Sequence, residues 1–398
     1  MSAEIRVGHV LDVLRTLEAG RFQCVVTSPP YYAVRNYSTA PQVWGGSPDC
    51  AHQWQERLTR DDSRKGDQHP EAGTPEARRA VFMHATCPLC GAMRCELGME
   101  PDPRQFVDHL LSVLAEVWRV LRDDGTMFLN LSDSYAANRR SGSRRAPGVG
   151  ADQSMPAIRS EVKWHAGDGS KFRWTLPDGT KPKAFCLVPE RVLIGLAEQG
   201  WILRNRIIWV KASRHEMRLV SMPTSAKDRL KPGWEPVFLL TKSGKYKGEV
   251  KRIGEPPRKS SLQRAARKST APGRGDGKQH GYSGVRVIDA GRLADPIQRP
   301  VLPADGLVNP GDVWFIPPQP RREAFYAAFP DALVSRCLQM TTDPGDEVLD
   351  PFVGRGTTVI VAKQLGRKAM GIELNEEYAA LAEANIRREA SQGVLLPA

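Results

Sequence analysis

No run of apolar residues in this chain approaches the ~18–20 that would span a bilayer, so no membrane-spanning helix is expected. The N-terminus, Met-Ser-Ala-Glu-Ile-Arg, lacks the apolar core of a secretory signal. Both absences predict a cytoplasmic protein with reduced thiols, which excludes a disulfide framework for its seven cysteines. Cys24, Cys186 and Cys337 stand in apolar contexts and read as small core residues. No internal repeat is visible. Acidic residues are in deficit: 57 Lys and Arg face 45 Asp and Glu, a formal net charge of +12. That imbalance points to a polyanionic partner. With 398 residues, 40% of them hydrophobic, the chain is long enough for one large α/β domain with insertions.

What is present begins with Phe22-Gln23-Cys24-Val25-Val26, a buried strand by its apolar run, followed by Thr27-Ser28-Pro29-Pro30-Tyr31-Tyr32. Two consecutive prolines fix φ twice and remove two backbone donors, so the chain leaves the strand in a rigid extended turn. The turn offers the Ser28 hydroxyl, the carbonyls of Ser28 and Pro29, and an aromatic face. Such a cluster can accept hydrogen bonds from a flat exocyclic amine and stack on its ring.

Near the other end, Glu347-Val348-Leu349-Asp350-Pro351-Phe352-Val353-Gly354-Arg355-Gly356-Thr357-Thr358 reads as a strand, a Gly-x-Gly turn and the start of a helix. A second strand, Lys368 to Ile372, ends in Glu373. This is the half-fold that holds adenosine-containing cofactors: the glycines allow close approach of backbone, and the acid can accept from both ribose hydroxyls. Val359 occupies the place of the third glycine of the dinucleotide fingerprint, which argues against NAD and an oxidoreductase.

Together the two motifs resemble the beta class of DNA amino-methyltransferases, which use S-adenosylmethionine. The family's Ser/Asp-Pro-Pro-Tyr/Phe corresponds to Ser28-Pro29-Pro30-Tyr31, and its Asp-Pro-Phe-x-Gly-x-Gly-Thr-Thr runs unbroken from Asp350 to Thr358. The resemblance implies a circularly permuted, Rossmann-like doubly wound mixed sheet of α/β class. It implies cofactor contacts from Asp350, Phe352, Gly354, Gly356, Thr357, Thr358 and Glu373, with Thr27, His9 and Phe329 completing the pocket. His9 stands where the family has the aspartate that bonds the adenine amine. Phe325-Tyr326-Ala327-Ala328-Phe329-Pro330 resembles the segment that covers the methionine end of the cofactor, with Phe325 in place of histidine. Asn130-Leu131-Ser132-Asp133-Ser134-Tyr135 resembles a further family segment.

The remaining cysteines have a different character. Cys50-Ala51-His52 and Cys87-Pro88-Leu89-Cys90 are two close pairs of soft ligands in a polar stretch, a pattern suited to one tetrahedral structural zinc. His84 and Cys95 are the fallback ligands. The implied organisation is 1–46 as the catalytic half, 47–96 as a zinc-binding insertion, and 97–241 as methyltransferase domain with a basic loop at 136–183. Residues 242–310 follow as a target-recognition region and 311–398 as the cofactor half. Lys242 to Lys268 holds ten Lys or Arg against two acids, as expected of a segment that tracks phosphates. Periodicity predicts helices over 103–121 and 189–199 and strands over 126–131, 201–211 and 236–241. The last two strands read as an antiparallel hairpin at the sheet edge, and Asp123-Asp124-Gly125 as the stop of the first helix.

The expected reaction is transfer of a methyl group from S-adenosylmethionine to the N4 amine of a cytosine flipped out of double-stranded DNA. In the family, Ser-Pro-Pro-Tyr goes mostly with that base and Asp-Pro-Pro-Tyr with N6 of adenine. The absence of a Pro-Cys nucleophile disfavours attack at cytosine C5. An N6-adenine methyltransferase is the first alternative, a non-catalytic zinc-containing DNA-binding protein a more remote one, and RNA an alternative substrate. No endonuclease motif is present, so the chain acts alone or beside a restriction partner; a homodimer is left open.

Overall fold

All six residues of Phe22–Thr27 are buried, the signature of a strand covered on both faces, and the architecture follows from that. The computed structural model describes residues 2–34, 37, 39–60, 80–136, 178–181, 183–212, 227–257, 307–319 and 329–391. Most of the basic loop, Phe325 to Ala328 and most of the expected recognition region lie outside the described residues.

In chain order the elements are β1 (Ala3–Val7), α1 (Val10–Arg15), β2 (Phe22–Thr27), β3 (Gln42–Trp44), β4 (Gln55–Arg60), β5 (Ala80–Thr86) and β6 (Met93–Cys95). Then come α2 (Pro103–Val120), β7 (Leu121–Asn130), α3 (Val188–Glu198), β8 (Ile202–Val210), β9 (Trp234–Thr241) and β10 (Val313–Phe315). The chain closes with α4 (Asp331–Thr341), β11 (Glu347–Asp350), α5 (Thr357–Gln364), β12 (Lys368–Glu373) and α6 (Glu376–Ser391).

Eight strands form one sheet in the order β1-β12-β11-β2-β7-β9-β8-β10. All neighbours are parallel except at β9, which runs against both β7 and β8. The late strands β11 and β12 insert between the early β1 and β2, so the two halves share one sheet. Helices pack in two series, α1–α2–α3 and α4–α5–α6, as a doubly wound sheet requires. The expected edge hairpin is corrected here: β8 and β9 do pair antiparallel, but β10 pairs with β8 and takes the edge.

Helix α2 begins as its sequence suggests, with Pro103 at the first turn and the Asp102 carboxylate accepting from Arg104 N at 2.8 Å. Phe106, Leu110, Val113, Leu114 and Val117 are fully buried along one face, which by area alone is worth about 1.5–3 kcal/mol per side chain. The stop differs from expectation. Leu121 is already extended and pairs with Phe22, so Asp123-Asp124-Gly125 lies inside β7, as extra residues between the partners of Phe22 and Cys24, where the register against β2 shifts.

A second sheet, antiparallel and ordered β3-β6-β5-β4, is built from residues on either side of Cys87. It starts at Gln42, ahead of the expected start at residue 47, because Gln42–Trp44 pairs with Met93–Cys95. Trp44, Met93 and Cys95 are buried in the same core as α2 and β7.

By contact the chain divides into two compact units, Met1–Gly248 with Asp312–Ala398, and Glu249–Gly311. In the second, the described residues include a short 3-10 turn, Val250–Ile253, and a bridge from Glu255 to Val308. Among the described residues no helix is long and apolar enough to cross a membrane.

Candidate active site

The carboxyl edge of a parallel sheet is where ligands bind in open α/β folds, and here that edge gathers the expected residues. Gly8 follows β1, Glu373 ends β12, Asp350 ends β11, and Ser28 to Tyr31 follow β2. One cleft of about 410 Å³ runs along them, lined by Gly8, His9, Phe352, Gly354 and Glu373 as well as by Ser28, Pro29, Pro30 and Tyr31. Phe329, Asp350 and Thr357 also line it. Thr27, Gly356 and Thr358 do not; they build its frame.

The frame is a buried hydrogen-bond knot. Asp350, 2% exposed, accepts from Thr27 Oγ1 at 2.7 Å, Thr358 Oγ1 at 2.7 Å and Phe352 N at 3.1 Å. It thereby ties the end of β2, which carries the Pro-Pro turn, to the glycine turn and α5. Burial pushes its carboxyl up to about 6, against the opposing pull of those three donors. The folded state thus holds an extra proton between about pH 4 and pH 6, and stability is lost as pH rises through that window. Asp350→Asn has no charge to desolvate. Its stability relative to wild type should rise by about 3 kcal/mol between pH 4 and pH 7, measured by urea denaturation across pH. Parallel profiles would show that Asp350 does not titrate there.

The glycine turn is held open by backbone that only glycine adopts easily: Gly354 has φ +53° and Gly356 +94°. Glu373 closes the turn, accepting from Gly354 N and Asn375 N at 3.0 Å each. Burial raises its carboxyl above the ordinary range. Each oxygen retains a lone pair for a further donor, so the cradle fits a ribose. His9 packs edge-on against Trp44, with centroids 4.7 Å apart. Burial lowers its pKa, and its Nε2 meets no hydrogen-bond partner among the described residues.

On the other side of the Pro-Pro turn the structure brings in Asn130, from the segment already noted, and adds Glu235, Lys211 and Trp209, which no motif announced. The Tyr31 hydroxyl lies 3.1 Å from Asn130 Oδ1 and 3.1 Å from Glu235 Oε2. Burial, then the Glu235 carboxylate, raise this phenol well above its usual range. Glu235 is also bonded by Lys211. Glu235, Lys211 and Trp209 line the same cleft. The one faint sequence signal was Trp234-Glu235-Pro236, a charged residue between an aromatic and a proline at a strand start. Behind the turn, Gly98 O accepts from Ala33 N at 2.8 Å, and Gly98 N donates to the fully buried Glu100.

The two cysteine pairs also converge. Cys50 Sγ lies 3.9 Å from Cys87 Sγ and Cys90 Sγ 3.3 Å from His52 Nδ1. All four donor atoms fall within 4.8 Å of one another. The turn is closed by Gly91 N to Cys87 O at 2.9 Å and Cys87 N to Ala92 O at 2.8 Å. Burial opposes ionisation of Cys87, but His52 and the amides of Cys90, Gln53 and Leu89 bring its thiol down to about 6. Three thiols and an imidazole are a fitting donor set for tetrahedral zinc. His84 is not in this cluster, and Cys95 groups instead with Glu100 and His109, whose Nδ1 and carboxylate are 2.9 Å apart.

A family model described as DNA methylase matches residues 22–384. The chain belongs to that family. It is a DNA methyltransferase of the N4/N6 amino-methyltransferase class, which uses S-adenosylmethionine. Among curated relatives this methylase is 29% identical over 391 residues to the Type II methyltransferase M.XycI of Xanthomonas campestris pv. cyanopsidis, covering 98% of this chain and 90% of the relative. It is 27% identical over 387 residues to the Type II methyltransferase M.SmaI of Serratia marcescens, covering 97% and 91%. Among solved structures, the PvuII DNA methyltransferase (cytosine-N4-specific) superposes with a TM-score of 0.50 at 15% identity, covering 98% of this chain and 92% of that one. At that identity the likeness establishes the fold.

Proposed function

We propose that the methylase transfers a methyl group to the exocyclic N4 amine of a cytosine flipped out of double-stranded DNA. The observation that carries this reading is the single cleft shared by the Ser28-Pro29-Pro30-Tyr31 turn and the Gly354–Glu373 cradle. A donor held in the cradle and an amine held at the turn would meet without leaving it. Glu373 would accept from the ribose hydroxyls, Gly354 would admit the ligand's close approach, and Phe352, His9 and Phe329 would pack around it. S-adenosylmethionine, when bound, supplies an electrophilic sulfonium methyl.

The chain's own residues do the rest. The lone pair of a nucleobase amine is delocalised into the ring. Ser28 Oγ and the Pro29 carbonyl would accept its two hydrogens, draw the nitrogen towards tetrahedral geometry and stabilise the developing positive charge. The two prolines remove backbone donors that would compete for those acceptors. Tyr31, anchored through its hydroxyl, presents its ring to the flipped base. Basic residues from 242 to 310 would serve target recognition on phosphates. Cys50, His52, Cys87 and Cys90 would hold one structural zinc. Kinship with Type II methyltransferases supports a role in restriction–modification, with a nuclease supplied by a separate chain.

The test is direct. Incubation with duplex DNA and S-adenosylmethionine, followed by digestion and mass spectrometry of nucleosides, should yield N4-methylcytosine. N6-methyladenine as the sole product would overturn the base assignment, and an unmodified digest from cofactor-binding protein would overturn the reaction.

A further inference from the structure

The lone reversed strand of the large sheet has a consequence for the cleft. Because β9 runs against its neighbours, its first residues, not its last, reach the carboxyl edge. Glu235 pairs in register with Trp209 on β8, and Lys211 follows one residue beyond the end of that strand. These three residues therefore extend the cleft past the Pro-Pro turn, on the side away from the cofactor cradle.

Glu235 is fully engaged. One carboxylate oxygen accepts from Lys211 Nζ; the other lies 3.1 Å from the Tyr31 hydroxyl and 3.4 Å from Asn130 Nδ2. Asn130 Nδ2 is itself fixed by Pro236 O at 3.0 Å. The acid is thus a brace shared by β7, β9 and the catalytic turn. Lys211 is different. Its ammonium has three donors, and Glu235 is the one side-chain acceptor it meets among the described residues. It also lies 5.2 Å from the centre of the Trp209 ring, and its side chain is 26% exposed against 18% for Glu235. The result is a positioned cation with donor capacity left over, facing a pocket for a nucleobase.

The bases differ at the point such a donor would reach. Along its Watson–Crick edge cytosine presents an amine, the ring nitrogen N3 and the carbonyl O2. Adenine presents an amine, the ring nitrogen N1 and then a C–H. With the amine held at Ser28 and Pro29, a donor two atoms further round the ring meets an acceptor in cytosine and a carbon in adenine. We propose that Lys211, braced by Glu235, is the specificity-determining residue of the cleft, donating to O2 of the flipped cytosine. Glu235 is a positioning residue, acting through Lys211 and Tyr31. Adenine would leave the ammonium desolvated and unpartnered, and sites built to bond a substrate group reject analogues that lack it.

This inference rests on the proposed cytosine reading, and the experiment separates the two. The methylated site is first mapped by sequencing modified plasmid. Duplexes then carry at the target either cytosine or the 2-aminopyridine C-nucleoside, which keeps the amine and ring nitrogen but has C–H in place of O2. Wild-type protein should methylate the analogue about 10- to 100-fold more slowly in single turnover, the scale of one charged hydrogen bond. Lys211→Met should slow cytosine by a similar factor and lose most of the discrimination between the two bases, while S-adenosylmethionine affinity stays unchanged. Lys211→Arg should retain the discrimination. If Lys211→Met distinguishes the bases as strongly as wild type, the inference is wrong although the function stands. If wild type marks only adenine, the function reading itself fails. Should Lys211→Met not fold, equal rates on the two bases with wild-type protein would overturn the proposal unaided.

Discussion

Ser28→Ala should leave S-adenosylmethionine binding nearly intact and cut methyl transfer by about 10²–10³-fold, the usual loss for one preorganised transition-state group. The separation of effects follows from placement. Ser28 belongs to the turn after β2, whereas the cradle is made by the glycine turn after β11 and by Glu373 at the end of β12. The frame linking them is bonded through Thr27, Asp350 and Thr358, none of which the substitution touches. Calorimetry for the cofactor and single-turnover kinetics for transfer give the two readouts. Wild-type transfer rates would remove Ser28 from the chemistry; lost cofactor affinity would mean that the turn shapes the cradle as well.

Cys87→Ser or Cys90→Ser should abolish a bound zinc and with it the order of the four-stranded sheet. Apparent binding energies of structural zinc are on the order of 10 kcal/mol, comparable to the whole stability of a domain. Damage would not stay local, because Trp44, Met93 and Cys95 share the core of the large sheet, and Trp44 also packs on His9 in the cleft wall. Elemental analysis should find one zinc per chain, and chelator should lower the thermal midpoint of wild type but not of either variant. Protein prepared without chelator that carries no metal would refute the site. Zinc retained in a Cys50→Ala, His52→Ala double variant would relocate it.

Contiguous chemistry was legible in the sequence by itself. Ser28 to Tyr31 and Asp350 to Thr358 declare themselves because a rigid turn and a close backbone approach demand proline and glycine at neighbouring positions. The face of α2 was legible because a period of 3.6 is a local property, and the pairs Cys50/His52 and Cys87/Cys90 because soft ligands in polar sequence need a reason. Tertiary structure alone decided which residues work together. Thr27 bonds Asp350 from a distant part of the chain. Leu121 ended α2 early because its partner in β2 required it extended. The strand pair β8–β9 moved from the edge to the interior of the sheet once β10 added beside it. Glu235 and Lys211 had no motif to mark them: strand direction is set by hydrogen-bond partners far away in sequence, and only the reversal of β9 carries them to the cleft.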